Sequence, residues 1–188
     1  RLTLTGGVGI LFASKFVWFF MSSLLLTSPK ALSVDNLAAY LQWVYDQPKL
    51  DEAQEKALLR QVRQGDARAA KQIIMANLRY VVYAAKQYRG YGLSEIDLIQ
   101  EGTLGLMKAL KRFKLDQGVR FITYAIHWVK AEIQEYTIKN WHIVKIATTK
   151  AQRKLFFNLR SKAKELYRLS VAEARCLAED LGVPVKEV

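Results

Sequence analysis

Three aromatic residues at helical spacing form the part of this sequence best suited to bind a ligand. Phe121, Tyr124 and Trp128 occur in FITYAIHWVKAEIQEY, residues 121–136, and fall on one side of a helix at about 100° per residue. Rings at this spacing can stack on unpaired bases, since every base has a π-face, and stacking contributes about 1–3 kcal/mol per base. Another side of the helix is polar and basic; it carries Thr123, His127, Lys130 and Gln134. The pattern predicts a face that binds single-stranded nucleic acid.

A third side of the same helix is aliphatic. Its residues fall within roughly 60° of one another on a helical projection; they are Ile122, Ile126, Val129 and Ile133. We expect this stripe to face the core and the three rings to point outward. The alternative is a helix buried on two sides, in which the rings belong to the core.

The charge of the chain is concentrated around this helix. Its 188 residues carry a net charge of +12, and residues 108–164 alone carry +11, from 14 basic and 3 acidic side chains. Such an excess indicates a polyanionic partner, either nucleic acid or an anionic membrane surface. A solvated charged face with no partner is the alternative interpretation.

The elements that position these residues are predicted to be helices throughout, which makes the fold class all-α. Sustained period-two alternation is absent from the sequence, whereas apolar residues recur at helical spacing. The predicted helices cover residues 34–46, 51–64, 66–89, 94–113, 121–140, a basic stretch from 148 or 149 onward, and 170–181. Ser94 and Asp97 are expected to form a capping box.

The helix before the aromatic one has an acidic N-terminal face. Asp97, Gln100 and Glu101 cluster there, which predicts docking on a positively charged protein, although acids also stabilise a helix N-terminus by themselves. Gly102 and Gly105 inside the helix cost about 1 kcal/mol each relative to alanine, which indicates close approach of another helix or a partner.

The N-terminal residues 6–27 are strongly apolar, long enough for a membrane span. The first residue is Arg1 and the first methionine is Met21, so we expect residues 1–20 to be upstream or fragment sequence. A membrane-anchored basic protein is the alternative.

The single cysteine, Cys176, has apolar neighbours, which predicts a core thiol and fits a reducing cytoplasm.

Catalytic and metal-binding motifs are missing from the sequence. We find no phosphate-binding glycine loop, no HExxH, no G-x-S-x-G and no Cys/His spacing typical of a zinc site, and His127 is far from His142. We therefore expect no enzyme activity, no metal and no cofactor.

Longer motifs carry a family resemblance. DLIQEGTLGLMKALKRF, then GVRFITYAIHWVKAEI, resembles the most characteristic segment of bacterial RNA polymerase sigma factors of the housekeeping-type superfamily. QRKLFFNLR resembles the signature of the heat-shock sigma factors within it; it comprises Gln152, Arg153, Lys154, Leu155, Phe156, Phe157, Asn158, Leu159 and Arg160. The similarity covers about residues 34–160 and continues weakly to 188. It implies a region 1.2/2 domain at 31–141 and a linker with a partial region 3 domain at 142–188, without the domain that reads the −35 element.

The resemblance also implies partners and residue roles. Docking on the clamp helices of the largest polymerase subunit is implied for Asp97, Gln100, Glu101 and Met107. Contact with promoter DNA, including capture of unstacked bases at the −10 element as the duplex opens, is implied for Phe121, Thr123, Tyr124, His127, Trp128, Lys130, Gln134, Thr149, Lys150 and Arg153. A heat-shock factor would act at the cytoplasmic nucleoid under the control of chaperones or proteases. His127 replaces a tryptophan of the housekeeping pattern, and Val119 replaces an aromatic residue.

The remaining alternative is a nucleic-acid-binding helical domain that acts without polymerase. It would bind DNA specifically in the absence of the core enzyme, whereas a sigma factor depends on it.

Overall fold

The structure is a computed structural model that describes residues 37–141, 149–162 and 170–188. Within these residues it contains seven α-helices, two short 3-10 turns and no strand, which confirms the predicted all-α fold. The helices are α1 Leu37–Asp46, α2 Glu52–Arg63, α3 Ala67–Lys86, α4 Glu95–Arg112, α5 Phe121–Asn140, α6 Lys150–Lys162 and α7 Val171–Leu181. The 3-10 turns are Leu115–Gln117 and Val185–Glu187.

The chain divides into two compact units. In its described part, the first unit comprises residues 37–90 and 94–133, which are α1 to α4 and the first part of α5. The second unit comprises Tyr91–Leu93 and the described residues from Gln134 onward, including α6 and α7. The aromatic residues of α5 named above therefore belong to the first unit.

The first unit is built around α3. This helix packs against α1, α2 and α4, and it is apolar on most of its circumference. Its fully or nearly fully buried aliphatic residues include Ala70, Ile73, Ile74, Leu78, Val81, Val82, Ala84 and Ala85. The amide nitrogen of the buried Asn77 donates to the Ile73 carbonyl oxygen at 2.7 Å, so this polar side chain is satisfied inside the helix.

Three helices of the first unit, α2, α3 and α4, begin after an acidic or hydroxyl residue. Asp51 forms a reciprocal capping box with Gln54 at the start of α2, and the Asp66 carboxylate accepts from the first amides of α3. Ser94 precedes α4 as predicted, but its side chain makes no capping hydrogen bond. The capping box predicted there is wrong; Asp97 has a shorter side chain than the glutamate or glutamine that such a box requires.

The second unit, in its described part, holds a small apolar cluster between α6 and α7. Leu177, Leu181 and Val183 are buried and pack against Leu155 and Val188, among others. Cys176 is exposed, so the predicted core thiol is wrong. The next position, Leu177, takes the buried place on α7 instead, because neighbouring residues on a helix point in directions about 100° apart.

Among the described residues, no helix combines the length and the hydropathy that a membrane crossing requires. The apolar stretch at residues 6–27 and the proposed non-native segment 1–20 lie outside the described residues.

Candidate nucleic-acid interface

The buried face of α5 follows an i, i+4 series. Its members are Phe121, Ala125, Val129, Ile133 and Thr137, each with no exposed surface. The predicted aliphatic stripe is correct for Val129 and Ile133, whereas Ile122 and Ile126 are only half-buried. The true core face is therefore rotated by roughly 30° from the predicted one on an ideal helix.

The expectation that the ring of Phe121 points outward is wrong. Phe121 is 0% exposed, and its ring packs edge-on against the buried ring of Phe113 at 5.5 Å between centroids. The side chain therefore belongs to the core, where it anchors the first turn of α5. The sequence signal for the burial of Phe121 was its i, i+4 spacing with Ala125 and Val129. This signal is weak, because alanine occurs on any face of a helix.

The rings form a continuous row from the core to the surface. Phe113 contacts Tyr124 at 5.5 Å between centroids, and Tyr124 contacts Trp128 at 6.2 Å. Phe121 and Phe113 are buried, whereas Tyr124 and Trp128 are half-buried. The two outer rings are thus held in place from below while part of each remains accessible to a ligand.

A cation lies over the outermost ring. The guanidinium carbon of Arg112, an exposed residue at the end of α4, is 4.7 Å from the centroid of the Trp128 ring. This is cation–π distance. The charge can contact a phosphate beside a base that stacks on the neighbouring ring surface.

The polar side of α5 is accessible as predicted. Thr123 and His127 are exposed, and Lys130 and Gln134 are half-buried. Tyr124, Trp128, His127 and Lys130 therefore lie within about two turns of one helix. Such a surface can offer stacking, hydrogen bonding and phosphate neutralisation to a single strand.

The first amide of α5 binds a residue that the sequence analysis missed. Glu55 of α2 is only 3% exposed, and its Oε1 accepts a hydrogen bond from the backbone N–H of Phe121 at 2.8 Å. Arg120 donates to both carboxylate oxygens of Glu55, at 3.2 and 3.0 Å, and to the Leu50 carbonyl at 3.1 Å. The hydrogen bond to Glu55 raises the pKa of the Arg120 guanidinium.

The acidic end of α4 is accessible, but not at every predicted docking position. Asp97 and Gln100 are exposed and Glu101 is half-buried. Met107 is 8% exposed, so its side chain belongs to the core of the first unit and the predicted surface contact is not supported. Met107 lies ten positions beyond Asp97, close to the buried Leu106 and Ala109.

Thr149, Lys150 and Arg153 lie at the start of α6, in the second unit. Thr149 precedes the helix, and its hydroxyl accepts from the Gln152 backbone N–H at 3.2 Å while the Gln152 side chain accepts from the Thr149 N–H. Arg153 pairs with Glu135 at 3.1 Å, and Lys150 is exposed. The Arg153 charge is therefore shared with a carboxylate.

The heat-shock signature segment contributes to the interior of the second unit. Phe156 stacks on Tyr91 at 5.2 Å and lies edge-on to Trp141 at 4.7 Å, while Leu155 packs in the apolar cluster of α7. Arg153 and Lys154 are exposed. The side chains of Leu159 and Arg160 lie outside the described part of the structure. Leu155 and Phe156 of the segment thus pack within the second unit, whereas Arg153 and Lys154 are accessible.

Comparison with known proteins supports one class of protein. Residues 73–143 match the Sigma-70 region 2 family, and this segment includes α4 and α5 with the rings and the acidic face. With the all-helical fold, the match supports an RNA polymerase sigma factor.

One relative shows how far the similarity extends. The chain is 44% identical over 161 residues to the RNA polymerase sigma-C factor of Myxococcus xanthus. The alignment covers 83% of this chain and 55% of the relative, so the chain spans about half the length of the curated relative it matches.

Proposed function

We propose that this chain is a sigma factor, or part of one, that directs the RNA polymerase core to promoters and opens DNA at the −10 element. In this function the polymerase performs the chemistry. The chain contributes basic residues that attract phosphate and rings that replace the stacking lost when a base pair opens.

The half-buried pair Tyr124 and Trp128 is the observation that carries this proposal. Their rings are packed from below by Phe113 and flanked by Arg112, so their orientation is set before DNA arrives. A preordered ring loses little conformational entropy on binding, which favours capture of a base as it leaves the duplex.

The test uses the 188-residue chain with core RNA polymerase. A random-sequence single-stranded DNA pool is selected for binding, and the enriched sequence is rebuilt as a duplex and as a pre-melted template. Tyr124→Ala and Trp128→Ala should retain core binding and reduce duplex opening about tenfold or more, with a smaller loss on the pre-melted template.

Tyr83→Ala is the matched control, because Tyr83 is a tyrosine of α3 that is 64% exposed and distant in sequence from the ring row. It should open DNA like the unmodified chain. Normal duplex opening by both α5 variants, or specific DNA binding without core polymerase, would refute the proposed function.

We assign core docking to the accessible acidic face of α4. Asp97 and Gln100 are exposed there and Glu101 is half-buried, and carboxylates suit a positively charged helical partner such as the clamp helices of the largest polymerase subunit. Glu101→Lys and Gln100→Ala should weaken core binding, whereas Glu52→Lys, an exposed charge reversal on α2, should not. Normal core affinity of Glu101→Lys would contradict the docking assignment.

The contact with duplex DNA upstream of the −10 element is assigned to Thr149, Lys150 and Arg153. The exposed Lys150 and the helix N-terminus that Thr149 caps provide positive potential for a phosphate. Lys150→Gln should weaken binding to duplex DNA with little effect on binding to the single-stranded oligonucleotide. Equal losses on both probes would reject this assignment.

We further propose the heat-shock type, with action at the nucleoid and regulation by chaperones or proteases. The support is the resemblance of residues 152–160 and the accessible charges of Arg153 and Lys154. The −10 sequence selected by this chain should differ from that selected by the housekeeping factor with the same core enzyme. Identical selected sequences, together with a cellular half-life that does not change on heating, would refute the heat-shock type.

A further inference from the structure

The first amide of α5 is capped by a side chain from a distant part of the chain. The residue before the helix is Arg120, whose side chain has donors but no acceptor. The first amides of a helix have no partner within it, and the amide of Phe121 is the first of α5. Its partner is the Glu55 carboxylate, 66 positions earlier in the chain.

The carboxylate of Glu55 is well suited to this position for two reasons. A negative charge at a helix N-terminus interacts favourably with the helix dipole. A buried carboxylate also requires compensating partners, and the Phe121 N–H and the Arg120 guanidinium provide them at 2.8 and 3.0 Å.

We propose that Glu55 is a positioning residue, which through the Phe121 amide and Arg120 fixes the first turn of α5 and thereby the orientation of Tyr124 and Trp128. Tyr124 lies one turn after the capped amide, and its ring packs on Phe113, which also contacts Phe121. This inference rests on the proposed function, since the orientation of the rings matters only if they capture bases.

The test compares Glu55→Ala with Glu55→Gln, using the chain with core RNA polymerase and the selected oligonucleotide in duplex and pre-melted form. Glu55→Ala should accelerate amide hydrogen exchange at residues 121–124 and lower duplex opening about tenfold, with core binding unchanged. Opening on the pre-melted template should fall less. Glu55→Gln keeps an acceptor oxygen but not the charge, and should show intermediate effects in both measurements.

Glu52→Ala is the matched control, because Glu52 lies on the same helix, is exposed and forms its ion pair with Lys56 at 2.6 Å, whereas its electrostatic interaction with Arg120 is the weakest that acts on its carboxylate. It should leave exchange and opening unchanged. If Glu55→Ala fails to fold, Glu55→Gln decides the question. The inference would be overturned if Glu55→Gln showed the same amide exchange at residues 121–124 and the same duplex opening as the unmodified chain. It would also be overturned if opening of the duplex, opening of the pre-melted template and core binding all fell by the same factor.

The two proposals can fail separately. If Tyr124→Ala and Trp128→Ala open duplex DNA normally, the base-capture function is wrong regardless of Glu55. If these variants lose opening but Glu55→Ala with a folded chain does not, only the positioning role of Glu55 is wrong.

Discussion

Gly105 of α4 lies directly against the backbone of Trp128 in α5. A Cβ atom added at Gly105 would lie 2.7 Å from the Trp128 carbonyl oxygen and 2.8 Å from the Val129 Cα. The predicted close approach of another helix at this glycine is therefore confirmed, and the approaching helix is the one that carries the rings. The Trp128 backbone can lie this close to α4 because glycine has no Cβ atom.

Replacing Gly105 by alanine should destabilise the first unit by about 1–3 kcal/mol, because a backbone atom cannot rotate away from the new methyl group. The steric cost of the new methyl group should exceed the gain of about 1 kcal/mol in helix propensity that alanine has over glycine. Gly102→Ala should cost less, since its Cβ would meet side-chain atoms of Val81, Ile133 and Val129. Urea unfolding followed by circular dichroism measures both; a larger loss for Gly102→Ala would contradict this explanation.

The two ends of the ring row should respond differently to truncation. Phe121→Ala removes a fully buried ring and should reduce the free energy of unfolding by about 3–5 kcal/mol. Tyr124→Ala removes a half-buried ring and should cost less than half of that, while its effect on duplex opening is larger. Equal losses of stability in urea titrations would show that Tyr124 is as much a core residue as Phe121.

Arg112 should influence the environment of one tryptophan only. Arg112→Gln removes the cation over the Trp128 ring, an interaction that contributes about 0.5–1 kcal/mol at exposed sites. In a chain labelled with fluorotryptophan, the ¹⁹F resonance of Trp128 is identified as the one that disappears in Trp128→Phe. The same resonance should shift in Arg112→Gln. An unchanged Trp128 signal would mean that the guanidinium does not occupy the ring face in solution.

Lys130 should contribute to affinity for DNA mainly through phosphate. Lys130→Gln should weaken binding of the polymerase-bound chain to the selected single-stranded oligonucleotide, and should reduce the slope of log affinity against log salt by about 0.7. Titrations over several salt concentrations measure the slope. A slope equal to that of the unmodified chain would remove Lys130 from the DNA contacts.

The stability of the second unit should depend on Glu135 in a pH-dependent way. The hydrogen bond from Lys139, followed by the charge of Arg153, holds the pKa of the Glu135 carboxyl below its ordinary 4.5. A carboxyl whose pKa is lower in the folded than in the unfolded state stabilises the folded state at pH values above the unfolded-state pKa. This contribution is lost as the pH falls through the folded-state pKa. Glu135→Gln should therefore lower the melting temperature slightly at pH 7 and not at acid pH.

The size of this effect should be small, below about 1 kcal/mol, because the Glu135 side chain is 41% exposed and solvent screens the pair. Glu179→Gln on the exposed side of α7 is the control and should be neutral at both pH values. A Glu135→Gln effect that persists at acid pH would have to come from packing instead of charge.

The sequence predicted the helices well because their apolar residues recur on one side. In α3, Ile74, Leu78, Val81 and Ala85 recur at helical spacing, and all four are buried. The helix α5 was harder, because rings and aliphatic residues occupy different sides and either set could face inward. Gly105 shows the same limit, since the glycine indicated a close approach but not the helix that makes it.

The start of α5 could not be predicted from local sequence. Local capping rules examine residues within about four positions of a helix end, and Glu55 is far outside that range. The sequence hint was that Glu55 lies one turn before Leu59, on the apolar side of α2. A carboxylate at such a position is more often exposed to solvent than buried. The docking role of Met107 was carried over from the family resemblance, although Met107 lies on the apolar stripe of α4 with Leu106 and Leu110.

The hydrogen bond from the Phe121 amide to Glu55 determines how short a working fragment of this chain can be. The matched segment, residues 73–143, contains every ring of the row but begins after α2. A fragment trimmed to that segment would leave the first turn of α5 without its acceptor and Arg120 without its carboxylate. Any minimal piece made for crystallisation or peptide display should therefore begin upstream of Leu50, whose carbonyl also binds Arg120.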